Sequence, residues 1–266
     1  MTSSPKILEH KFYRDTVFKT LFTKNPNLLK HFVAELLRIN YDEITAFALK
    51  NPELMPLSTE GKLCRLDLCI EVYNKQIDIE IQINSQQDYP ERTLYYCADL
   101  FASGLPKGIH NKYTDAPQAI TISLVKFNLF PETQEYVSRF RMMEEKRLTQ
   151  LADKMLLIYY ELPKLPKPKG IDNTLLLWLS LFNSETEEDL ANLKNLGVPM
   201  INEAIETYST VVVSDEFREI ERSRRLAERD YSHDMACAIE EGIEKGYLKA
   251  YREMGLEPPK KPLAKP

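Results

Sequence analysis

Residues 63–83 contain two consecutive stretches in which apolar and polar side chains alternate, and this pattern most constrains the fold. Alternation with a period of two is typical of β-strands that bury one face. The pair Asn74-Lys75 separates the stretches and suits a tight turn. The sequence therefore predicts a β-hairpin. Its apolar face is expected to consist of Leu66, Leu68, Ile70, Val72, Ile77, Ile79, Ile81 and Ile83.

The second face of the predicted hairpin carries polar and acidic side chains. We expect Tyr73 to pair with Gln76. This register places Asp67 opposite Gln82 and diagonal to Glu80, within side-chain reach. Two carboxylates so close repel each other unless a cation offsets their charge, and Mg²⁺ commonly takes one or two carboxylates with water and substrate phosphate. A solvated polar face of an antiparallel sheet is the alternative interpretation, and the spacing alone leaves both open.

Asp67, followed by Glu80-Ile81-Gln82 on the next strand, resembles the D…ExQ variant of the PD-(D/E)XK nuclease signature. More narrowly, the chain resembles the Rpn-type family of recombination-promoting nucleases and transposase-like proteins. The resemblance covers residues 12–185 as an ordered set of short motifs. These are Asp15-x-x-Phe18-Lys19-x-Leu21-Phe22, Glu91-Arg92-x-Leu94-Tyr95-Tyr96, Gly108 with Tyr113, Glu161-Leu162-Pro163-Lys164, and Trp178.

The resemblance implies a restriction-endonuclease-like α/β core, a mixed sheet flanked by helices, that cleaves DNA with Mg²⁺ or Mn²⁺. Asp67 and Glu80 would bind the metal ion. Gln82 would orient the attacking water or a phosphate oxygen. It stands where the wider superfamily has lysine, and glutamine weakens the charge-stabilising role of that position.

Three further residues are candidates for the same site. Arg92 and Tyr96 are expected to bind substrate, because a guanidinium suits a phosphate group; an exposed arginine in an i,i+4 arrangement is the alternative. Glu35 is a candidate metal ligand, since an early-helix acid joins the metal shell in some proteins of this fold. A solvent-exposed glutamate is the alternative for Glu35.

Apolar spacing predicts the remaining elements. Helices are expected over residues 12–23, from Pro26 onward, and over 90–103; strands are expected over 44–49, 119–127 and 154–162. The buried stripe of the helix over 90–103 is expected to contain Leu94, Cys97, Ala98 and Phe101. Basic residues within 136–147 are diluted by acidic ones, so they predict only a weak phosphate-facing rim.

The proline-rich segment over 161–170 is predicted to be a linker. We therefore expect a nuclease-like domain over 1–170 and a helical region over 171–266. The latter should contain a long charged helix that begins at Ser214-Asp215 and a disordered tail. The charged helix is expected to remain solvated or to support self-association into a homo-oligomer.

Composition excludes several classes of protein. At 266 residues, with 43% hydrophobic and 28% charged content, the chain can bury one substantial core. No segment has the length and apolar character of a membrane span or a signal peptide, so no membrane partner is expected and the cytoplasm is the expected location. The four cysteines show neither paired spacing nor a disulfide framework, which disfavours a zinc site. A net charge of −5 disfavours broad adhesion to nucleic acid.

Three functions remain in view. The leading hypothesis is a metal-dependent DNA endonuclease that promotes recombination, with DNA as its partner. The second is a nuclease-derived scaffold that binds DNA or a protein without cutting. The third is a glycosidase that uses paired carboxylates, for which the motif offers no associated aromatic platform.

Overall fold

A six-stranded mixed sheet lies at the centre of the computed structural model, which describes residues 5–44, 47–50, 68–105, 112–171 and 173–257. The strands are β1 (Phe47–Lys50), β2 (Leu68–Val72), β3 (Lys75–Gln82), β4 (Gln118–Val125), β5 (Val137–Phe140) and β6 (Met155–Glu161), in the spatial order β1-β2-β3-β4-β6-β5. Strands β3, β4 and β6 run parallel to one another, while β1, β2 and β5 pair antiparallel with their neighbours. The mixed α/β class predicted from the sequence is confirmed.

Helices lie on both faces of this sheet. The helices of the described residues are α1 (Asp15–Lys24), α2 (Pro26–Leu37), α3 (Tyr89–Ser103), α4 (Thr174–Asn183), α5 (Glu187–Asn195), α6 (Pro199–Val213) and α7 (Asp215–Glu253). Helix α3 packs on one face of the sheet, and α1, α2, α4 and α6 pack on the other. Helices α1, α2, α3 and α7 begin within three residues of the helices expected from the sequence, and α4, α5 and α6 lie within the predicted helical region. The i,i+4 pair Asp15–Lys19 in the first helix forms an ion pair of 2.8 Å.

The larger core lies on the sheet face that bears Ile77, Ile79 and Ile81 of β3. Leu68 of β2 shares this face, as predicted, whereas Leu66 lies outside the described residues. Helices α1, α2, α4 and α6 cover it with apolar side chains that include Phe22, Phe32, Trp178, Phe182 and Ile201. Since successive strand residues face opposite ways, Asp78 and Glu80 belong to the other face.

The hairpin turn differs from the prediction by one residue. Tyr73 and Asn74 form the loop, so Val72 pairs with Lys75 and Leu68 pairs with Ile79. The predicted register would have paired Leu68 with Ile81. Moving a two-residue loop by one position shifts the register by two, which keeps every side chain on its expected face. The loop residue with a positive φ is Tyr73, at 51°, rather than an asparagine.

Helix α3 is rotated relative to the expectation. Its buried residues are Tyr89, Thr93, Cys97 and Leu100. Leu94 and Ala98, which were expected in the buried stripe, are exposed. The predicted buried stripe was chosen from apolar residues alone. It left out Thr93 because threonine is not usually counted as a core residue. This rotation turns a threonine and a tyrosine toward the sheet.

By internal contacts the chain divides into residues 1–217 and 218–266. Helices α4 and α6 contribute Trp178 and Tyr208 to the same core as α1 and α2, so the first unit extends beyond the linker predicted over 161–170. No strand occurs after residue 173 in the described part of the chain, in agreement with the predicted helical region. The boundary at residue 170 stays a prediction.

The second unit consists mainly of the remainder of α7. Ion pairs at i,i+4 spacing line this helix, for example Arg224–Glu228 at 2.9 Å and Lys245–Glu241 at 3.1 Å. The tail over 258–266 lies outside the described residues. Within the described ranges, no helix combines the length and apolarity needed to cross a membrane. Self-association through α7 stays a prediction.

Tyr208 of α6 ties the start of the chain to the helical layer. Its hydroxyl donates to the carbonyl oxygen of His10 at 2.5 Å, and its ring stacks on Phe12 with centroids 4.1 Å apart. Burial, with smaller effects from Glu187 and Glu9, raises the pKa of Tyr208 to about 12 from an ordinary value of 10.0.

We therefore expect alkaline pH to destabilise the protein partly through Tyr208. The unfolded phenol ionises near pH 10 and the folded one near pH 12, so its stabilising contribution is present below pH 10 and is lost as pH rises toward 12. Tyr208→Phe should flatten the fall in unfolding free energy across this window, measured by urea unfolding at a series of pH values. An unchanged slope in the variant would contradict this.

Candidate functional site

Strand β3 presents Asp78 and Glu80 to the sheet face beneath α3. Asp78 is fully buried and Glu80 is 6% exposed. On β4 the register places Thr121 beside Asp78 and Ser123 beside Glu80. The alternative interpretation of this face as a solvated polar surface is therefore wrong: it is a covered layer of mixed polar and apolar side chains.

Two tyrosines lie close enough to Glu80 to sense its charge. Burial first, and then the negative charge of Glu80, raises the pKa of Tyr89, while Ser123 and Arg92 oppose the rise. Burial also raises the pKa of Tyr159, with a further contribution from Glu80. Glu80 therefore lies near the buried phenol side chains of Tyr89 and Tyr159.

The rings are held in place by α3. Thr93 and Tyr159 share a hydrogen bond of 2.5 Å between their hydroxyl oxygens. The rings of Tyr89 and Tyr159 meet edge to face with centroids 6.4 Å apart. Sequence reasoning missed Tyr89 because Pro90 was read as the start of the helix. The spacing of Tyr89, Thr93 and Cys97 at every fourth residue was the signal available.

Asp78 is a second acid on the polar face of the hairpin. It pairs with Cys69 of β2 across the hairpin. Burial, and to a smaller extent the charge of Asp78, raises the pKa of Cys97, against the effect of hydrogen bonding with Thr121 and the backbone. Asp78 thus lies among Cys69, Cys97 and Thr121, one side-chain row from Glu80.

Gln82 and Arg92 meet where β3 ends. Arg92 Nη2 donates to Gln82 Oε1 at 3.0 Å, and Arg92 also donates to Gln86. The Gln82 amide nitrogen donates to the carbonyl oxygen of Asn84 at 2.8 Å. The guanidinium lies 4.9 Å from the ring centroid of Tyr89 and 5.9 Å from that of Tyr96. The structure therefore brings together the predicted residues Gln82, Arg92 and Tyr96 beside Glu80.

Glu35 is not part of this group. Glu35 lies on α2, which packs on the opposite face of the sheet. It lines a separate cavity of about 430 Å³ with Arg38, Tyr136 and Asn173, where burial raises its pKa. Glu35 is therefore not brought near Glu80. Asp67 lies outside the described residues.

The donor chemistry of the site suits a hard divalent cation. Across the described part of the chain, no group of three or more histidine, cysteine or acidic residues could hold a metal ion. Mg²⁺ needs fewer protein ligands than that, because it keeps several waters and takes only one or two carboxylates. Glu80, with the hydroxyl-bearing Ser123 alongside, offers oxygen donors of the type that Mg²⁺ and Mn²⁺ prefer.

The Glu161-Leu162-Pro163-Lys164 motif forms one wall of this region. Glu161 is fully buried and accepts hydrogen bonds from the backbone N–H groups of Leu129 and Phe130, at 2.7 and 3.1 Å. Lys164 lies 2.8 Å from the Glu161 carboxylate, with its side chain 7% exposed. The motif thereby secures the segment between β4 and β5, whose Phe127 ring packs 6.0 Å from that of Tyr89.

Glu161→Gln should destabilise the protein by about 3 kcal/mol or more, because removing one partner of a buried ion pair leaves the other charge unpaired. Glu206→Gln is the matched control: its pair with Lys194 spans 3.3 Å between exposed side chains and should be worth less than about 1 kcal/mol. Urea unfolding at neutral pH measures both. Equal losses in the two variants would contradict the assigned role of Glu161.

Comparison with known proteins identifies a family. A family model described as PD-(D/E)XK nuclease family transposase matches residues 12–241. No curated protein and no solved structure matches the chain.

Proposed function

Because the chain belongs to the PD-(D/E)XK nuclease family transposases, we propose that it is a divalent-metal-dependent DNA endonuclease that acts in recombination. The observation that carries this proposal is the grouping of buried Glu80 with the hydrogen-bonded pair Gln82 and Arg92. Hydrolysis of a phosphodiester bond would take place at the carboxyl end of β3. Residues 83–88 are exposed there, which leaves an approach for a DNA strand.

In this proposal Glu80 and Asp67 hold the metal ion, Mg²⁺ or Mn²⁺. Asp67 precedes Leu68 in the chain, and Leu68 pairs with Ile79, the residue before Glu80. When bound, the ion supplies Lewis-acid polarisation of the scissile phosphate and lowers the pKa of an attacking water. Glu35 is omitted from the metal shell because it lies on the opposite side of the sheet.

Arg92 would supply the positive charge that lysine provides at position 82 in the wider superfamily. Its guanidinium has five N–H donors, so it can bind a phosphate oxygen while it keeps the hydrogen bond to Gln82. Gln82 is then a positioning residue, since both ends of its amide are already hydrogen-bonded within the protein. The rings of Tyr89 and Tyr96 restrict the directions in which the guanidinium can point.

A non-cleaving scaffold that binds DNA or a protein is the second candidate function. The burial of Glu80 favours it, because a carboxylate covered by α3 is less accessible to a metal ion than one on an open surface. The two functions differ in one measurable property, metal-dependent cleavage.

Glu80→Gln and Asp67→Asn should each reduce plasmid nicking with Mg²⁺ or Mn²⁺ by about 100-fold or more. Metal-ion stabilisation is worth several kcal/mol, and each 1.36 kcal/mol is tenfold in rate. The double variant should cost little more, because two ligands of one ion act as a unit. Removing the metal with a chelator should have the same effect as the double variant.

Glu71→Gln provides the matched control, since Glu71 pairs with Gln76 at the other end of the same strand pair. Its nicking rate should stay within about twofold of the wild type. Nicking by the double variant at the wild-type rate would reject the nuclease and leave the scaffold. Wild-type nicking that is no faster than nicking by the double variant would do the same.

A charge relocation tests the role of Arg92. Arg92→Gln should reduce cleavage by at least about tenfold through the loss of phosphate stabilisation. Gln82→Lys combined with Arg92→Gln returns one cation to the site and should recover most of that loss. Single-turnover cleavage rates measure both.

Arg139→Gln, an exposed change on β5, is the control for loss of one arginine. Wild-type cleavage by Arg92→Gln would show that Arg92 has no part in phosphate binding. If the variant with both Gln82→Lys and Arg92→Gln cleaves no faster than Arg92→Gln alone, a cation at position 82 does not replace the charge of Arg92.

A further inference from the structure

Two hydroxyl groups near Glu80 are buried without a hydrogen-bond partner. The hydroxyl oxygens of Tyr89 and Ser123 are shielded from solvent, and neither forms a hydrogen bond with the described part of the chain. Tyr89 is 0% exposed and Ser123 is 1% exposed. Buried polar groups are nearly always hydrogen-bonded, and a buried hydroxyl without a partner costs free energy. Two such groups near one carboxylate therefore indicate a functional role.

Tyr159 provides a comparison on the same face of the sheet. It too lies close enough to Glu80 to sense its charge, but its hydroxyl shares a hydrogen bond of 2.5 Å with Thr93. This bond ties β6 to α3, so the hydroxyl of Tyr159 has a structural role. Tyr89 has no such bond, and its hydroxyl therefore remains able to donate to another group.

Ser123 lies between Glu80 and Tyr159 in a row of side chains across three parallel strands. It pairs with Glu80 of β3 on one side and with Tyr159 of β6 on the other. Neighbouring strands lie about 5 Å apart, so Ser123 is within reach of the Glu80 carboxylate. The pKa of Tyr89 responds to Ser123, which makes the two hydroxyls neighbours, although they do not meet the geometry of a hydrogen bond.

The ring of Tyr89 is held on several sides. Phe127 and Tyr159 contact it edge to face, with centroids 6.0 and 6.4 Å away, and the Arg92 guanidinium lies 4.9 Å from its centroid. These contacts restrict the position of the hydroxyl. Burial, and then the charge of Glu80, raises the pKa of Tyr89 above its ordinary value of 10.0. The hydroxyl therefore keeps its proton at neutral pH and can donate it in a hydrogen bond.

We propose that Tyr89 and Ser123 form a hydroxyl relay that positions the Glu80 carboxylate for a divalent cation, an inference that rests on the proposed function. Tyr89 donates to Ser123, and the serine side chain rotates to donate to one carboxylate oxygen of Glu80. The other oxygen is left for the ion. A carboxylate must be ionised to bind a metal, and a hydrogen bond to the ionised form stabilises it. Tyr89 and Ser123 are positioning residues, because they act through Glu80.

Titration of the protein with Mn²⁺ alone tests the relay. Ser123→Ala should raise the dissociation constant for Mn²⁺ by about tenfold or more, as is typical when a hydrogen-bond partner of a metal ligand is removed. Tyr89→Phe should raise it by about threefold or more, because the serine can still donate but is no longer held. The variant with both changes should match Ser123→Ala, since Tyr89 acts only through the serine. Isothermal titration calorimetry measures all three.

Tyr160→Phe is the matched control for the loss of a buried phenol hydroxyl. Tyr160 is 1% exposed and belongs to the larger core, on the opposite face of the same sheet. Its loss should change the dissociation constant for Mn²⁺ by less than about twofold, because the control residue lies away from Glu80. A loss of affinity in this control as large as in Tyr89→Phe would overturn the relay.

The stability of the metal-free protein separates the relay from a structural role. Because an unpaired buried hydroxyl costs free energy, Tyr89→Phe should leave the Tm of the metal-free protein unchanged or higher. The rise in Tm that Mn²⁺ produces should become smaller, because the ion binds the folded variant less tightly. A lower Tm without metal, together with an unchanged rise on adding Mn²⁺, would assign the hydroxyl to folding and overturn the inference.

The outcomes separate this inference from the proposed nuclease. A wild-type protein that binds Mn²⁺ and nicks DNA, with the same Mn²⁺ affinity in Ser123→Ala, contradicts the relay alone. A protein whose Mn²⁺ affinity depends on Ser123 and Tyr89, but which never nicks DNA, contradicts the nuclease alone. A wild-type protein that does not bind Mn²⁺ overturns the relay. A double variant whose loss equals the product of the two single losses also overturns it.

Discussion

Burial of acidic side chains on β3 is the constraint on which the rest of the structure depends. Asp78 and Glu80 lie almost entirely out of solvent, and a buried carboxylate costs free energy unless neighbouring groups compensate it. The same strand contributes Ile77, Ile79 and Ile81 to the larger core. A slip of one residue would move the isoleucines out of that core and the acids into it. The apolar face therefore holds the acidic face in position and offsets its cost.

The parallel arrangement of β3, β4 and β6 gathers functional groups at one edge of the sheet. Gln82, Lys126 and Glu161 stand at or just after the carboxyl ends of these strands. Each is bonded to a residue from outside its strand: Gln82 to Arg92, Lys126 to Glu185, and Glu161 to Lys164. Pairing of this kind fixes the orientation of side chains that matter for chemistry. DNA is therefore proposed to bind at the edge formed by the carboxyl ends of these strands, rather than over the centre of the sheet.

Periodicity identified the strand faces correctly because the alternation of isoleucines with polar residues depends only on backbone geometry. It misplaced the turn. Asparagine adopts a positive φ more readily than tyrosine does, and yet the loop residue with the positive φ is Tyr73. It also misoriented α3, because Thr93 is buried through its bond to Tyr159, a partner sixty-six residues away. Such a long-range hydrogen bond leaves no local signal, so only the four-residue spacing of Tyr89, Thr93 and Cys97 indicated the buried face of α3. The position of Glu35 depends on how α2 packs and was equally inaccessible.

The exchange of lysine for glutamine at position 82 has a consequence for how the proposed nuclease would handle protons. A lysine can lose its proton when its pKa is lowered, whereas an arginine stays protonated and an amide acts neither as an acid nor as a base at neutral pH. With Gln82 and Arg92 in place of lysine, the site keeps a cation but has no general base at that position. The attacking water would then lose its proton to solvent or to the phosphate itself. Arg92 would act through its charge and its fixed direction alone, which is consistent with its position between Gln82 and two aromatic rings.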